Sequence, residues 1–414
     1  MYGVGLAAII EDLLGWDLPV QVRAYDGTVV GPPDAAAAVV IRSPAVLSWI
    51  LTAPGELGFG RAYVAGELDV EGDIYAALAL RDRLPEVKLG PRQWLAVARL
   101  VGTAGLRRPP RPVEEARLHG RRHSRSRDAA AVAHHYDVSN EFYGRVLGPA
   151  MTYSCAVFER DDATLEDAQR AKHELVCRKL GLRPGMRLLD VGCGWGAMAR
   201  HAAREHGVKV VGVTLSRRQT EWAEKQAADE GLSGLVDIRY QDYRDVRDGP
   251  FDAVSSIGMF EHVGWDRTRG YFTALHGLLR PGGRLLNHAI SRPPGRRPRF
   301  ARDGFVDRYV FPDGELLEVG ATVSAVQEAG FEARHVESLR EHYARTLRLW
   351  VANLEGGWEA AVAHAGAARA RIWRLYMAAS AVNFETGRSQ VHQVLAVKTE
   401  DGRSGMPLRP DWGG

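Results

Sequence analysis

A glycine-rich turn between an apolar run and a helical run constrains the fold of this chain more than any other feature. The segment reads Leu188-Leu189-Asp190-Val191-Gly192-Cys193-Gly194-Trp195-Gly196, and a helical stretch over residues 197–206 follows it directly. Glycine is needed where the backbone approaches a ligand closely or adopts a positive φ. A helix that starts after such a turn directs its N-terminal amides at whatever lies above the strand end. The spacing differs from the dinucleotide-binding fingerprint Gly-x-Gly-x-x-Gly, so it indicates either another ligand site or an ordinary strand-to-helix turn.

The composition is that of an ordinary globular protein whose charge is unevenly distributed. The chain has 414 residues, of which 45% are hydrophobic and 25% charged, and this length suffices for one large domain and a smaller one. A formal net charge of +3 is too small to indicate a nucleic-acid partner. Arginine is dense in two stretches, each of which is either a solvated loop or a surface that attracts anionic headgroups. The two stretches contain Arg107, Arg108, Arg111, Arg117, Arg121, Arg122 and Arg125, and Arg292, Arg296, Arg297, Arg299 and Arg302.

Cysteine usage and hydropathy bear on the compartment in which the protein works. The three cysteines, Cys155, Cys177 and Cys193, provide neither a disulfide framework nor a Cys-x-x-Cys metal signature. We therefore expect a reducing cytoplasm and no metal site. The N-terminus lacks the basic region of a signal peptide, and no apolar run approaches the roughly 18 residues that cross a bilayer. Any contact with a membrane is expected to be peripheral.

Shifts in composition divide the chain into four segments, namely residues 1–101, 102–128, 129–398 and 399–414. The first reads as a small α+β domain, with an amphipathic helix over residues 6–14 and a hairpin turn at Asp26-Gly27. The second is rich in Arg, Pro, His and Ser without apolar periodicity, which predicts a basic, mobile linker. The third is the predicted catalytic domain, and the fourth is a C-terminal tail.

The third segment alternates strands and helices, which is typical of a parallel, doubly wound α/β sheet. The predicted strands are residues 187–191, 209–213, 236–240, 251–257, 284–290 and 390–397. Ligands bind at the carboxyl ends of the strands in such sheets, and here polar residues follow each of the first five strands. A long, basic and proline-rich insert over residues 291–314 is a candidate lid above these ends.

Longer motifs resemble one family of enzymes. The glycine turn is similar to motif I of class I S-adenosylmethionine (SAM)-dependent methyltransferases, which implies a Rossmann-like, doubly wound sheet. The segments His135-Tyr136-Asp137-Val138-Ser139-Asn140-Glu141-Phe142-Tyr143 and Met151-Thr152-Tyr153-Ser154-Cys155-Ala156 resemble the cyclopropane-fatty-acyl-phospholipid synthases and mycolic-acid cyclopropane synthases. So do residues 158–172, 257–264, 308–316 and 342–350. The first segment of the chain resembles the lipid-facing accessory domain of the phospholipid-acting members.

The resemblance implies a reaction and the residues that serve it. In the family a SAM methyl group is transferred to a double bond, and a bound bicarbonate removes a proton from the resulting carbocation. The implied bicarbonate site comprises Cys155, Glu261, His288, the Ile290 backbone and Tyr343. The implied SAM site comprises Tyr153, Ser154, Asp190, Gly192, Gly194, Thr214, Leu215, Gln219, Asp242 and Tyr243. Within the SAM site, Asp190 is expected to order the glycine turn. Cys177 and Cys193 belong to neither site and are expected to be structural.

One departure from the family pattern leaves the product open. The family commonly has Leu-Asp-Pro before the Tyr-Ser-Cys motif, whereas this chain has Leu147-Gly148-Pro149. Proton loss from the new methyl group would close a cyclopropane ring, and loss from a neighbouring carbon would give a methylene that precedes a methyl branch. The implied partners are a phospholipid with an unsaturated chain and an anionic membrane surface, and a homodimer stays open. The alternatives are a non-catalytic lipid-binding protein on this fold and a methyltransferase for a soluble small molecule.

Overall fold

Two β-sheets organise the part of the chain that the computed structural model describes, which is residues 19–53, 55–82, 109–136, 139–295 and 304–413. The strands are β1 (Gln21–Ala24), β2 (Val29–Val30), β3 (Ala37–Ile41), β4 (Leu68–Gly72), β5 (Arg187–Val191), β6 (Lys209–Thr214), β7 (Val236–Tyr240), β8 (Phe251–Ile257), β9 (Leu279–Ser291), β10 (Glu332–Ser338) and β11 (Gln390–Val397). The helices are α1 (Ala45–Thr52), α2 (Glu56–Val64), α3 (Ile74–Leu78), α4 (Arg125–Tyr136), α5 (Asn140–Leu147), α6 (Leu165–Leu180), α7 (Ala197–His206), α8 (Arg217–Asp229), α9 (Thr268–Leu278), α10 (Phe305–Tyr309), α11 (Val319–Glu328), α12 (Arg340–Gly356), α13 (Trp358–Ala365) and α14 (Ala367–Glu385).

The first compact unit is built on the sheet β2-β1-β3-β4. The hairpin predicted at Asp26-Gly27 joins β1 to β2, with Gly27 at φ 82° and the Thr28 N–H donating to the Asp26 carboxylate. Trp49 and Tyr63 pack with the apolar side chains of the strands into one core. The helix predicted over residues 6–14 lies outside the described residues. The unit therefore has the expected α+β character in the part that is described.

Two later segments, residues 304–310 and 365–382, belong to this first unit rather than to the second. The predicted boundaries had placed both within the catalytic domain. Polar contacts explain the observed grouping: Tyr309 donates to the Glu115 carboxylate at 3.2 Å, and Arg371 donates to Asp69 at 2.9 Å. Glu115 in turn pairs with Arg61, and both of these side chains are buried. Both segments therefore contribute polar contacts to the first unit.

The second unit is built on the sheet β10-β11-β9-β8-β5-β6-β7. The five strands from β9 to β7 are parallel, as predicted, but β11 and β10 are antiparallel additions at one edge. The sequence did not predict β10, and β9 begins at Leu279 rather than at residue 284. β5, β7, β8 and β11 have the predicted bounds. This arrangement confirms the predicted doubly wound α/β class.

Apolar side chains cover both faces of the second sheet. α6, α7 and α8 pack on the face that includes Leu188, and α9 and α11 pack on the opposite face, which includes Leu189. The alternation follows because successive side chains of a strand point to opposite faces. Asp190 and His288 share the α6 face, so two ionisable groups are carried into a buried layer. No helix of the described residues is long and apolar enough to cross a membrane.

The predicted linker is partly ordered. α4 begins at Arg125, inside the segment that was predicted to be mobile, and the described residues before it contact the second unit's own loop at Asp313. Arg122 donates to the Asp313 carboxylate at 2.8 Å, and Arg127 donates to both of its oxygens. Two of the arginines in this segment therefore form specific ion pairs and are not free for a membrane surface.

Candidate active site

A cavity of about 160 Å³ lies at the carboxyl ends of β5, β6 and β8. This is the edge of a doubly wound sheet at which ligands bind. Nine of the ten residues that the sequence implied for SAM line the cavity, namely Tyr153, Ser154, Asp190, Gly192, Gly194, Thr214, Leu215, Gln219 and Tyr243. The exception is Asp242. α4 and the residues around Asp313 supply a further wall.

The glycine turn leaves room for a ligand directly above the backbone. Gly192 and Gly194 have φ values of 74° and 54°, a conformation that other residues adopt at a cost. A Cβ atom at position 194 would meet only Gln219 Nε2, at 4.0 Å, so the space above this glycine is open. A Cβ at position 192 would instead lie 2.9 Å from Met259 Cγ. The turn therefore fits a cofactor that lies against the backbone of residue 194.

The end of β6 presents an amide beside the glycine turn. Thr214 Oγ1 donates to Gln219 Oε1 at 2.7 Å, and Ser216 caps α8 by accepting from the Gln219 N–H. Because its oxygen is occupied by Thr214, Gln219 presents its amide N–H groups towards the glycine turn. Gln219 is 3% exposed, so these donors lie in a sheltered place. The group can hold a hydroxyl or carbonyl oxygen of a cofactor.

The end of β7 differs from expectation. Both carboxylate oxygens of Asp242 accept from the Arg244 guanidinium, at 2.8 and 2.6 Å, and one also accepts from the Arg244 N–H. Burial acts to raise the pKa of Asp242, but these hydrogen bonds outweigh it and the pKa is lowered. Asp242 therefore positions Arg244, while Gln241, Tyr243 and Arg244 line the cavity. The contact implied between Asp242 and SAM stays a prediction.

A buried lysine beside the cavity was not predicted as a site residue. Lys172 is 1% exposed, lines the cavity and donates from Nζ to Ser154 Oγ at 3.1 Å. Burial lowers the pKa of its ammonium group to about 7, against the opposing influence of Cys155 and Asp190. The spacing of Leu165, Ala168, Lys172 and Val176 along α6 places Lys172 on the buried stripe of that helix. This spacing was the signal that could have identified it.

Asp190 lies at the end of β5 beneath the glycine turn. Ser255 on β8 donates to its Oδ1 at 2.7 Å, whereas Oδ2 is buried without a hydrogen-bond partner among the described residues. Burial raises the pKa of Asp190 to about 6, although Ser255 and Lys172 act to lower it. Asp190 is thus held by β8 and also lines the cavity. Its expected role in ordering the glycine turn stays a prediction.

The residues implied for the bicarbonate site fall into two groups. In the first, Glu261 Oε1 accepts from the Ile290 N–H at 2.7 Å, and Glu261 Oε2 is buried without a partner among the described residues. Burial raises the pKa of Glu261 to about 7. His288, two residues before Ile290, is 2% exposed, and its Nε2 is likewise buried without a described partner. Each of these two orphaned polar atoms leaves a hydrogen-bonding position open to a small ligand.

In the second group, Cys155 and Tyr343 meet at one carbonyl. Cys155 Sγ lies 3.6 Å from the Leu339 oxygen, which also accepts from the Tyr343 N–H at 3.0 Å. Burial raises the pKa of the Cys155 thiol, so it remains protonated. The charge of Lys172 acts to lower the pKa of both Cys155 and His288. None of the five implied residues lines the cavity itself.

Gly148, for which the resemblance implied a departure from aspartate, lies beside a carboxylate of another helix. It ends α5 with φ 79° and ψ −176°, a region that is essentially restricted to glycine. A Cβ atom there would collide with Oε1 of Glu166, from α6. A different carboxylate therefore occupies the space next to position 148.

One further cluster has side chains that metals prefer. Cys177 on α6 and His201 and His206 on α7 have ligand atoms within 4.8 Å of one another. Glu174 accepts hydrogen bonds from both imidazoles, at 3.4 and 2.9 Å. These hydrogen bonds join α6 to α7, which gives both histidines a structural role.

The strand order, the glycine turn and the cavity at the strand ends define a class I SAM-dependent methyltransferase. Comparison with known proteins gives the family. The model of the mycolic acid cyclopropane synthetase family matches residues 123–394, and the chain belongs to this family. The crystal structure of mycolic acid cyclopropane synthase CmaA1 with SAH and CTAB is similar, with a TM-score of 0.61 and 36% identity. It covers 65% of this chain and 98% of its own.

Two relatives match over almost the whole chain, including the first unit. A probable fatty acid methyltransferase of Mycobacterium tuberculosis is 48% identical over 406 residues, which are 95% of each chain. A probable fatty acid methyltransferase of Pseudomonas putida is 41% identical over 411 residues, which are 97% of this chain and 98% of the relative. The similarity to these two proteins therefore extends beyond the methyltransferase domain.

Proposed function

We propose that the protein transfers the methyl group of SAM to a double bond in an unsaturated acyl chain of a membrane phospholipid. One observation carries the proposal: the buried Glu261 and His288 each leave a polar atom without a described partner, beside a cavity suited to SAM. A methyltransferase that alkylates an oxygen or nitrogen has no carbocation to deprotonate, whereas alkylation of an alkene leaves one. The two unpartnered polar atoms thus match the deprotonation step that follows methyl transfer to an alkene.

The names of the relatives support an acyl substrate. Two whole-length relatives are named as probable fatty acid methyltransferases. The similar CmaA1 structure contains CTAB, a cation with a long alkyl chain, together with SAH. That mycolic-acid enzyme matches only 65% of this chain, whereas the fatty acid methyltransferases match it almost throughout. The additional unit favours a lipid other than mycolic acid, and a phospholipid is the one that the membrane offers most abundantly.

The described residues have separate tasks in this reaction. SAM, when bound, supplies an electrophilic methyl group, and the glycine turn and Gln219 would hold it. Bicarbonate, when bound, would supply the base that removes the proton. Glu261, fixed by Ile290 through Oε1, keeps Oε2 available to orient that anion. Because the site is buried, the attraction between an anion and a developing cation is weakly screened.

Vesicles of defined composition test the proposal. We expect purified protein and SAM to convert dioleoylphosphatidylglycerol, with release of SAH, and to leave the saturated distearoyl lipid unchanged. Gas chromatography with mass spectrometry of the fatty acid methyl esters detects the added carbon. Mild hydrogenation then separates the products, because a methylene takes up hydrogen and a cyclopropane ring resists it. Equal SAH release with both lipids, or none with either, would contradict the proposal.

The alternatives give different results in the same experiment. A non-catalytic lipid-binding protein would bind vesicles and show no heat of SAM binding in calorimetry. An enzyme for a soluble substrate would bind SAM and would not bind vesicles.

A peripheral position on the cytoplasmic membrane face forms part of the proposal. It predicts flotation with anionic vesicles and weaker flotation with zwitterionic ones, since exposed arginines such as Arg117 and Arg121 attract anionic headgroups.

A further inference from the structure

A row of polar side chains crosses three strands of the second sheet on the face covered by α6. His288 on β9 is directly opposite Gln393 on β11, and Gln393 is directly opposite Glu337 on β10. Residues that oppose each other on antiparallel strands project from the same face, with Cβ atoms about 5 Å apart. The strand register therefore places an imidazole, an amide and a carboxylate side by side.

Lys179 joins this row from α6. Its Nζ donates to Gln393 Oε1 at 2.7 Å and also pairs with the carboxylate of Glu337. The side chains of Lys179 and Gln393 are fully buried, whereas the side chain of Glu337 is 36% exposed. The row therefore starts at a carboxylate in contact with water and ends at the buried imidazole of His288.

The chemistry of donors and acceptors permits one arrangement of protons along the row. An ammonium group only donates, so the Gln393 atom that faces Lys179 must be the carbonyl oxygen. The amide nitrogen then faces His288 and donates to Nδ1, at 3.2 Å. A neutral imidazole whose Nδ1 accepts a hydrogen bond carries its proton on Nε2. An imidazolium would place an N–H on Nδ1 against the amide N–H, which is unfavourable.

We infer that Lys179 and Gln393 are positioning residues that fix His288 in the Nε2–H tautomer, so that Nε2 donates a hydrogen bond to an anionic ligand of the site. Nε2 has no partner among the described residues, so this donor is available to a ligand. Burial lowers the pKa of His288 to about 3, with further contributions from Lys172 and Lys179, which agrees with a neutral ring. The tautomer follows from the protein alone, whereas the anionic ligand rests on the proposed function.

Nitrogen NMR of histidine-labelled protein reads the tautomer directly and requires no substrate. The signal of His288 is identified as the one that disappears in His288→Gln. In the wild-type protein we expect a neutral ring protonated on Nε2 at neutral pH. A His288 ring protonated on Nδ1, or on both nitrogens, would overturn the inference.

Gln393→Glu tests the positioning role with almost no change of shape. A carboxylate only accepts, so His288 must then carry its proton on Nδ1, and its tautomer should invert. The matched control is Gln390→Glu, the same change on the same strand outside the row, which should leave the signal unchanged. Lys179→Met removes the group that orients the amide and should give a mixture of tautomers. An unchanged signal in Gln393→Glu would overturn the assignment.

Turnover measurements provide an independent test of the positioning role. We expect Gln393→Glu to lower kcat for the unsaturated lipid by about 10- to 100-fold, the range typical for loss of a residue that orients a functional histidine. KM for SAM should stay within about twofold, because the row does not line the cofactor cavity. Wild-type kcat in this variant would overturn the role in positioning. If wild-type protein shows the expected tautomer but methylates no lipid, the proposed function fails and the tautomer assignment stands.

Discussion

The Ile290 N–H donates to Glu261 Oε1 at 2.7 Å, and this bond joins the turn after β8 to the end of β9. The second oxygen of Glu261 is buried without a described partner. A carboxyl group with one oxygen held by the backbone and the other free has a fixed direction. It can therefore orient a ligand at a defined place without further reorganisation.

Replacement of Glu261 by Gln should separate binding from turnover. The amide can still accept from Ile290, but its nitrogen then replaces Oε2 and presents only N–H donors to the ligand. We expect turnover to fall by about 10- to 100-fold, in the range lost when a residue that orients a functional group is removed. The affinity for SAM, measured by calorimetry, should change less than about twofold. Glu328→Gln, on the exposed side of α11, is the control, and wild-type activity in Glu261→Gln would remove Glu261 from the site.

Glu261 should also leave a signature in the pH dependence of stability. Burial raises the pKa of its carboxyl group from 4.5 to about 7, so the folded state retains a proton that the unfolded state loses. Its contribution to stability is therefore full below about pH 4.5 and is lost as the pH rises through 7. Glu261→Gln should be more stable than wild type at pH 8, by at most about 3 kcal/mol, and the difference should shrink towards pH 5. Denaturant unfolding at both pH values measures this, and a difference independent of pH would contradict it.

For Lys172 we expect stability to rise with pH, which is the opposite of the dependence expected for Glu261. Burial lowers the pKa of its ammonium group from 10.5 to about 7, so the unfolded state binds the proton more strongly. The stability of the wild type relative to Lys172→Met should therefore rise between about pH 7 and pH 9, by about 2–3 kcal/mol. Lys225→Met, which removes an exposed lysine from α8, should show no such slope. A flat difference for Lys172→Met would mean that this amine is charged in the folded protein.

Gly194→Ala should weaken SAM binding by occupying the space above the turn. Gly194 has φ 54°, and its Cβ would project into the open region near Gln219. Gly231→Ala is the matched control, because Gly231 also has a positive φ but nothing lies within 4 Å of its Cβ. Both variants should lose about 1–2 kcal/mol of stability from backbone strain. Only Gly194→Ala should also lose about tenfold or more in SAM affinity, and equal affinities in both variants would show that the cofactor lies elsewhere.

Asp313→Asn should loosen the wall formed by α4. Asp313 binds Arg122 and Arg127 and has φ 66°, a conformation that Asn tolerates well. The variant removes the charge and leaves the backbone unchanged. Since hydrogen bonds to charged groups contribute about 1.5–3 kcal/mol, we expect roughly tenfold weaker SAM binding and faster amide exchange in α4. Asp162→Asn, at the exposed pair with Arg160, should leave both unchanged. Unaltered exchange in Asp313→Asn would show that α4 is held by other contacts.

The sequence predicted those elements whose own residues determine them. β5 and β8 are apolar runs bounded by turn residues, and their bounds agree with the structure. β10 was missed because its residues Glu332–Ser338 are mostly polar and lie at the edge of the sheet, where no apolar alternation is required. Strand existence there depends on pairing with β11, which the local pattern does not contain.

The same distinction between local and long-range determinants applies to the site. The glycine turn and the strand ends were visible because ligand-binding loops have characteristic residues. Lys172 was missed because a lysine on a helix normally faces water, and only its spacing with apolar neighbours reveals its burial. Gln393 and His288 are 105 residues apart, so their pairing depends on the register of β9 and β11. Contacts of this kind require the folded sheet.

Gly148 determines how the chain leaves α5. Its φ of 79° and ψ of −176° lie in a region that is essentially restricted to glycine, so any side chain at this position would strain the backbone. A Cβ atom would also contact Glu166 Oε1, which is the end of a flexible side chain that can move aside. The segment that follows leads to Met151, Thr152, Tyr153 and Ser154, which line the cavity. Position 148 therefore couples the end of α5 to the shape of the cofactor cavity.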